Sequence, residues 1–347
     1  MSGALKNLAI LSVSVMVSLL MAEAVARQIF VDAVLFNRFH SVVSYEDFVT
    51  RRLQPDTRFV HTSQDGAWQF HINSQGFRAD KDYSYGKPEG IFRLLIVGDS
   101  HTQGMEVGQK ETFSHLLDGR SCKGQTLETI NAGISGSGTS EHKVFYDAEG
   151  RKYSPDAVIV GFFANDFDDN LTGFHKLDDK GVPVISQRTH PADFGTRVLQ
   201  WHNDVGLLAY LSQSSYLYST LMNYGWDLGK TLVYGRHLEE NVFAKKQSDA
   251  ETERLKVTMA HRLLEQFQVS VEANGAEFFV ADIPQVPESG AASSLEMYEL
   301  PQDAKWTDNI IALDQLDEQM FVSHGQRHIN ARAHALMAEA IFERVCS

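Results

Sequence analysis

From residue 91 onward, short apolar runs alternate with longer amphipathic stretches. Phe92–Val97 is an apolar run stopped by Gly98, the pattern of a strand buried on both faces of a parallel sheet. Thr126–Asn131 reads as a second strand, and Asp156–Phe162, introduced by Pro155, as a third. A short helix is predicted at Thr112–Leu117 and a polar one near Ser140–Gly150. Farther on, Leu255, Met259, Leu263 and Phe267 recur every four residues, which predicts an amphipathic helix over about 250–273. Asn274-Gly275 ends it, Ala276–Ala281 follows as another apolar strand, and a last helix is predicted from Ala331 to Val345. Strands alternating with helices require a parallel sheet covered on both faces, hence an α/β fold.

Two regions fall outside that rhythm. Residues 29–90 form an aromatic-rich N-terminal extension, in which Trp68, Phe70 and Ile72 alternate with polar residues as in a half-buried strand. A stretch of about 80 residues, near 171–249, separates the third strand from the long helix and is too long for a simple connection. It carries Trp201, Tyr210, Tyr216, Tyr218, Tyr224, Trp226 and Tyr234. Such an insertion either caps a site or packs its aromatic side chains into a core of its own, and the second is the commoner use. The expected organisation is a targeting segment at 1–28, the extension at 29–90 and an α/β domain at 91–347 interrupted by the insertion.

The amino terminus is apolar on every side. Lys6 precedes the run Leu8–Met21, and Glu23 and Arg27 follow. Fourteen helical residues rise ~21 Å, short of a ~30 Å hydrocarbon core. Continuing through Ala26 reaches spanning length if Glu23 sits near the interface. Ala22-Glu23-Ala24-Val25-Ala26 also offers two A-x-A cleavage sites, so a signal peptide competes with a membrane anchor. Either route carries the rest of the chain outside the cytoplasm, into the periplasm or beyond.

Composition is that of an ordinary globular protein, 43% hydrophobic and 22% charged over 347 residues. A formal net charge of -14 argues against nucleic acid or an anionic membrane as the main partner, since either would need a basic patch. Cys122 and Cys346 stand far apart and outside any zinc or redox spacing; two free thiols are the favoured expectation, with a single disulfide the alternative if the domain is exported.

The strongest chemical signal is Gly98-Asp99-Ser100-His101-Thr102 directly after the first strand. A serine there sits at the carboxyl edge of a parallel sheet, where open α/β folds bind ligands. Taken alone the tripeptide is weak, and Asp99 or Ser100 would serve equally as a helix cap. Three other segments add to it. Gly136, in the turn after the second strand, can bring a bare backbone N–H to a substrate oxygen, and Asn165, after the third, can offer a side-chain N–H. His328 precedes the last helix on a loop. Nucleophile, base and two donors are the set that ester hydrolysis needs. His324 and His328 share a helical metal-pair spacing, but Gly325 disfavours a helix there and no glutamate follows the first histidine. Asp166, Asp168 and Asp169 lack the full calcium-loop pattern. No metal or cofactor is expected.

In these four ordered blocks the chain resembles the SGNH, or GDSL-like, hydrolases over about residues 91–345. The resemblance implies a flavodoxin-like three-layer α/β/α fold and an acyl-ester hydrolase site, with Ser100 as nucleophile, His328 as base, and Ser100, Gly136 and Asn165 as the oxyanion hole. Asp99 supports the nucleophile turn. Asn73-Ser74-Gln75-Gly76-Phe77-Arg78 and the apolar amino terminus also look like membrane-tethered bacterial members. The implied substrate is a small-molecule or glycan acyl ester, O-acetyl groups on envelope glycans among them. Acyl transfer to a sugar hydroxyl and an inactive binding module are the alternatives. In one respect the chain departs from the family: the aspartate usual three residues before the histidine is Gly325 here. A Ser–His dyad, a backbone carbonyl or a carboxylate from elsewhere must then orient the base, with Asp314 and Asp317 nearest upstream.

Overall fold

The computed structural model describes residues 3–30, 34–36, 38–241, 249–287, 290–324 and 328–347. A long helix, α1 (Gly3–Ile29), opens the chain. Two antiparallel hairpins follow, β1 (His40–Tyr45) with β2 (Phe48–Leu53) and β3 (Arg58–Ser63) with β4 (Gly66–His71). Their inward residues Phe39, Leu53, Phe59, Phe70 and Ile72 make a core of their own against Ile134. Phe39 stacks on Phe59 and Phe59 on Phe70.

The main sheet begins with β5 (Ile91–Gly98), which leads into the single turn α2 (Ser100–Gln103) and then α3 (Phe113–Leu117). A short edge strand, β6 (Ser121–Cys122), precedes β7 (Gln125–Asn131), α4 (Thr139–Ala148), β8 (Ala157–Phe162) and α5 (Asp166–Asp169). The small hairpin β9 (His175–Leu177) and β10 (Pro183–Ile185) leads to α6 (Asp193–Asp204), α7 (Gly206–Ser214), α8 (Tyr216–Asn241) and α9 (Asp249–Ala273). Then come β11 (Glu277–Asp282), β12 (Ile310–Ile311) and α10 (Ala331–Cys346).

Six strands form one sheet in the order β12-β11-β8-β5-β7-β6, and only β6 runs antiparallel to its neighbour. Numbered from β5 and leaving out the β6 edge, the order is the flavodoxin-like 2-1-3-4-5. Period-two alternation sorts the side chains of β5 into two cores. Leu95 and Val97 join Phe145 of α4 and Phe267 of α9, whereas Leu94 and Ile96 join Phe113 of α3 and Ile341 of α10. The expected three-layer α/β/α architecture is therefore the one observed. The four predicted main strands and the long helices appear within a residue or two of their expected bounds.

Two expectations are corrected. Cys122 and Cys346 are not free thiols but form a disulfide, with Cα atoms 4.8 Å apart. They lie 224 residues apart in sequence; the packing of α10 beside the β6 edge brings them together, and spacing along the chain carries no trace of that. The aromatic residues of the insertion do not build a private core either. Trp201, Tyr210 and Tyr224 face outward, and Trp226 turns toward the carboxyl edge of the sheet, where it helps line a cavity. The side chain of Tyr234 lies outside the described residues.

Candidate active site

Gly98 ends β5 where no side chain fits. A Cβ there would lie 2.0 Å from Thr102 Oγ1 and 2.9 Å from the Gly161 carbonyl. The chain therefore turns straight from the strand into α2, whose N-cap is Asp99; its carboxylate accepts from the His101 N–H at 2.9 Å. Asp99 is wholly buried, and burial pushes its carboxyl up to about 6. Ser100, the first residue of α2, is left at the switch point of the sheet, beside the end of β8.

His328 reaches Ser100 from the loop before α10. That loop is fixed at both flanks: Val322 N donates to the His328 carbonyl at 2.9 Å and Asn330 N to the Met320 carbonyl at 2.8 Å. Asn330 then caps α10 through the N–H groups of Arg332 and Ala333. Ser100 Oγ lies 2.8 Å from His328 Nε2, the distance of a hydroxyl donating to an imidazole nitrogen. The other ring nitrogen, Nδ1, lies 3.0 Å from Glu106 Oε2. With a proton on Nδ1, His328 donates to Glu106 and presents a lone pair to the serine.

Glu106 was not among the residues singled out from the sequence. It stands in the turn after α2 with φ +62, a left-handed conformation that costs a non-glycine residue roughly 1–2 kcal/mol. The rest of the turn is held by Arg78, which donates to the carbonyls of Gln103, Gly104 and Val107. Burial would raise the Glu106 carboxyl, but the hydrogen bond from His328 and the His61 imidazole beside it outweigh burial and hold the group down at about 2. His61 Nε2, from β3, lies 3.8 Å from the second carboxylate oxygen. Neither of the carboxylates expected upstream of the base takes this place. Asp317 pairs with Arg332 at 3.1 Å, and Asp314 lines a separate cleft beside α10. Gly325, the usual position of the acid, lies outside the described residues. The only textual signal for Glu106 was an acidic residue between Met105 and Val107, directly downstream of the nucleophile.

Ser100, Gly136 and Asn165 line one cavity of about 210 Å³. Gly136 adopts φ +67, and its carbonyl accepts from Arg51 of β2, which fixes the Gly136–Ser137 peptide that follows it. Arg51 in turn contacts Glu141 at 3.4 Å, and Glu141 contacts His190 at 3.1 Å. Asn165 donates an amide hydrogen to Asp169 at 3.1 Å and also hydrogen-bonds the buried Asp99 carboxylate, which fixes its amide at the cavity wall. The other walls come from the extension (Leu53, Phe59, His61) and the insertion (Leu199, Trp226).

The remaining candidates go elsewhere. His324 pairs with Asp65 at 3.2 Å on the surface. Asp166 accepts from Thr139 Oγ1 at 2.9 Å and Asp168 pairs with Lys256 at 2.6 Å. Among the described residues no group of three or more His, Cys, Asp or Glu is placed to hold a metal ion.

No curated protein sequence matches the chain. Among solved structures it is similar to a two-domain esterase active on acetylated mannans, at 12% identity and TM-score 0.35, over 72% of this chain and 48% of that one. It thus spans about half the length of that relative. It is also similar to TesA (14% identity, TM-score 0.37, 73% and 97% of the two chains). A third similar structure is a family 3 carbohydrate esterase from Clostridium thermocellum (13% identity, TM-score 0.37, 73% and 94%). The family model for GDSL-like lipases and acylhydrolases matches residues 94–341, a span that holds Ser100, Glu106, Gly136, Asn165 and His328. By that match the chain belongs to the GDSL-like lipase/acylhydrolase family and is an ester hydrolase.

Proposed function

We propose that the protein is a serine esterase, anchored in a membrane with its catalytic domain outside the cytoplasm, that cleaves short acyl esters, O-acetyl groups on envelope or extracellular glycans included. The observation that carries this reading is the continuous chain from Ser100 Oγ through His328 to Glu106. Ser100 Oγ attacks the acyl carbonyl while His328 Nε2 takes its proton, and the same proton then passes to the departing alcohol. Glu106 fixes the imidazole tautomer and stabilises the imidazolium. The N–H groups of Ser100 and Gly136 and the Asn165 amide receive the oxyanion. Water then repeats the sequence on the acyl-enzyme and releases the acid. A cavity of about 210 Å³ suits a small acyl group better than a long chain.

Two features support an anchored, extracytoplasmic enzyme. The disulfide suits an oxidising compartment. Helix α1 is long and apolar enough to span a bilayer, and its last turns are built into the folded body. Glu23 accepts from Ser215 Oγ and from the N–H groups of Tyr216 and Leu217, capping α8. Arg27 donates to the Ser214 carbonyl. Cleavage at either A-x-A site would remove Glu23 and leave that cap empty.

A serine-reactive phosphonate should label the protein at Ser100 and stop hydrolysis of aryl acetates. Ser100→Ala should neither label nor turn over, with its thermal unfolding unchanged. Unlabelled Ser100 in folded protein would make this an inactive binding module. Acyl transfer outpacing hydrolysis when a sugar acceptor is added would make it a transferase.

A further inference from the structure

Helices α6 to α8 carry two different faces. The inner one covers the active-site cavity through Leu199 and Trp226. The outer one is apolar where a soluble helix should be charged. Phe194 is 75% exposed, Trp201 64% and Tyr224 73%, and Tyr210, Leu221 and Leu228 are exposed as well. Leu221, Tyr224 and Leu228 recur at the spacing of a single helical stripe, opposite the side that holds Asn223 on the Val34 carbonyl and Trp226 against Phe36. Between Gly206 and Gly229 the only Asp, Glu, Lys or Arg is Asp227, in a chain that is 22% charged. Large exposed apolar patches of this kind mark an interaction surface.

The position of this face relative to α1 identifies the partner. Glu23 and Arg27, at the end of the apolar helix, grip the α7–α8 junction at Ser214, Ser215, Tyr216 and Leu217, and the Arg27 guanidinium lies 5.1 Å from the centre of the Tyr216 ring. At 1.5 Å per residue, Tyr210 and Leu221 lie within about 10 Å of that grip along their helices. The apolar face therefore begins where the membrane span ends. Tryptophan and tyrosine are the side chains favoured at the boundary between headgroups and acyl chains. Among the described residues only α1 is apolar and long enough to cross a bilayer, so α6–α8 are suited to lie along the surface instead.

We infer that the outer face of α6–α8 is embedded in the interfacial layer of the bilayer that α1 spans, so that the roof of the active site rests on lipid. The inference rests on α1 being a retained anchor, and the experiment separates the two. Full-length protein is reconstituted into phosphatidylcholine vesicles, with or without lipids brominated near the headgroup end of the acyl chain. Flotation reports anchoring, and the difference in emission between wild type and Trp201→Phe reports Trp201 alone. Insertion predicts that brominated lipid lowers the Trp201 emission by about twofold or more. Protein that floats with the Trp201 emission unchanged keeps the anchor and overturns the inference. An unquenched Trp201 together with a cross-linked dimer would assign the face to a second copy of the chain, which also overturns it. Failure to float overturns both readings.

Discussion

The Glu106 carboxylate lies between two imidazole rings, His328 and His61, and is almost wholly enclosed. Its role is separable from bulk by an isosteric change. Glu106→Gln keeps the shape but lets Nδ1 of His328 meet an amide that can donate, which favours the wrong tautomer. Loss of the equivalent aspartate interaction costs ~10⁴ in kcat in the serine protease triad. A fall of about 10²–10⁴ in kcat is expected here, with KM little changed, while Asp314→Asn and Asp317→Asn stay near wild type. Steady-state kinetics on one aryl acetate decides this; an unimpaired Glu106→Gln would return the base to a dyad. The same group shapes the acid limb of stability. Held at about 2 when folded, against an ordinary value near 4.5, it stabilises the fold above pH 4.5 and loses that contribution as pH falls toward 2. Urea unfolding from pH 6 down to 2 should show a shallower acid loss in Glu106→Gln than in wild type. Ser100 and His328 were legible in the sequence because each stands at a predicted element boundary. Glu106 was not, because a left-handed φ and a turn held by Arg78 bring it to the base, and neither leaves a mark in the text.

At the scale of elements, periodicity was informative wherever a segment packs on the sheet. The runs at 92–97 and 157–162 are unbroken because their strands bury one face in each of the two cores, whereas the four-residue repeat before Ala273 belongs to a helix that presses a single face on the sheet. In the insertion the expectation rested on aromatic content instead, and it failed because Trp201, Tyr210 and Tyr224 point outward rather than into a core. The disulfide was equally silent, since it depends on where α10 lies against β6. It joins an edge strand to the last turn of the last helix and closes a loop of 224 residues. Removing a native bridge costs about 2–5 kcal/mol. Replacing both cysteines by serine should lower the melting temperature by several degrees and leave room-temperature hydrolysis largely intact. Calorimetry of that double variant, beside wild type with and without reductant, tests it; identical melting in all samples would mean that the bridge does not form.

At the scale of the whole molecule, three regions that are separate in sequence enclose one cavity. The sheet contributes Ser100 and Asn165, the extension Phe59 and His61, the insertion Leu199 and Trp226. The α/β class was readable from alternation alone, but the closure of the site by the extension was not, because it depends on how two hairpins dock on the sheet. Helix α1, the proposed anchor, belongs to this scale as well. The Glu23 cap on α8 predicts that intact mass of the exported protein retains residues 1–26. A mature amino terminus at Val25 or Arg27 would mean that α1 is a removed signal peptide.

In family members with the acid three residues before the histidine, base and acid travel on one loop and the nucleophile stands alone. Here the division is different. Ser100 and Glu106 share the short segment that follows β5, and only His328 comes from the loop at the far end of the chain. A displaced base loop in the usual arrangement keeps its internal acid–base bond and loses one contact. In this protein the same displacement breaks both bonds of the chain together, so aligning the catalytic groups is a matter of two bodies, and partial assembly has no intermediate form.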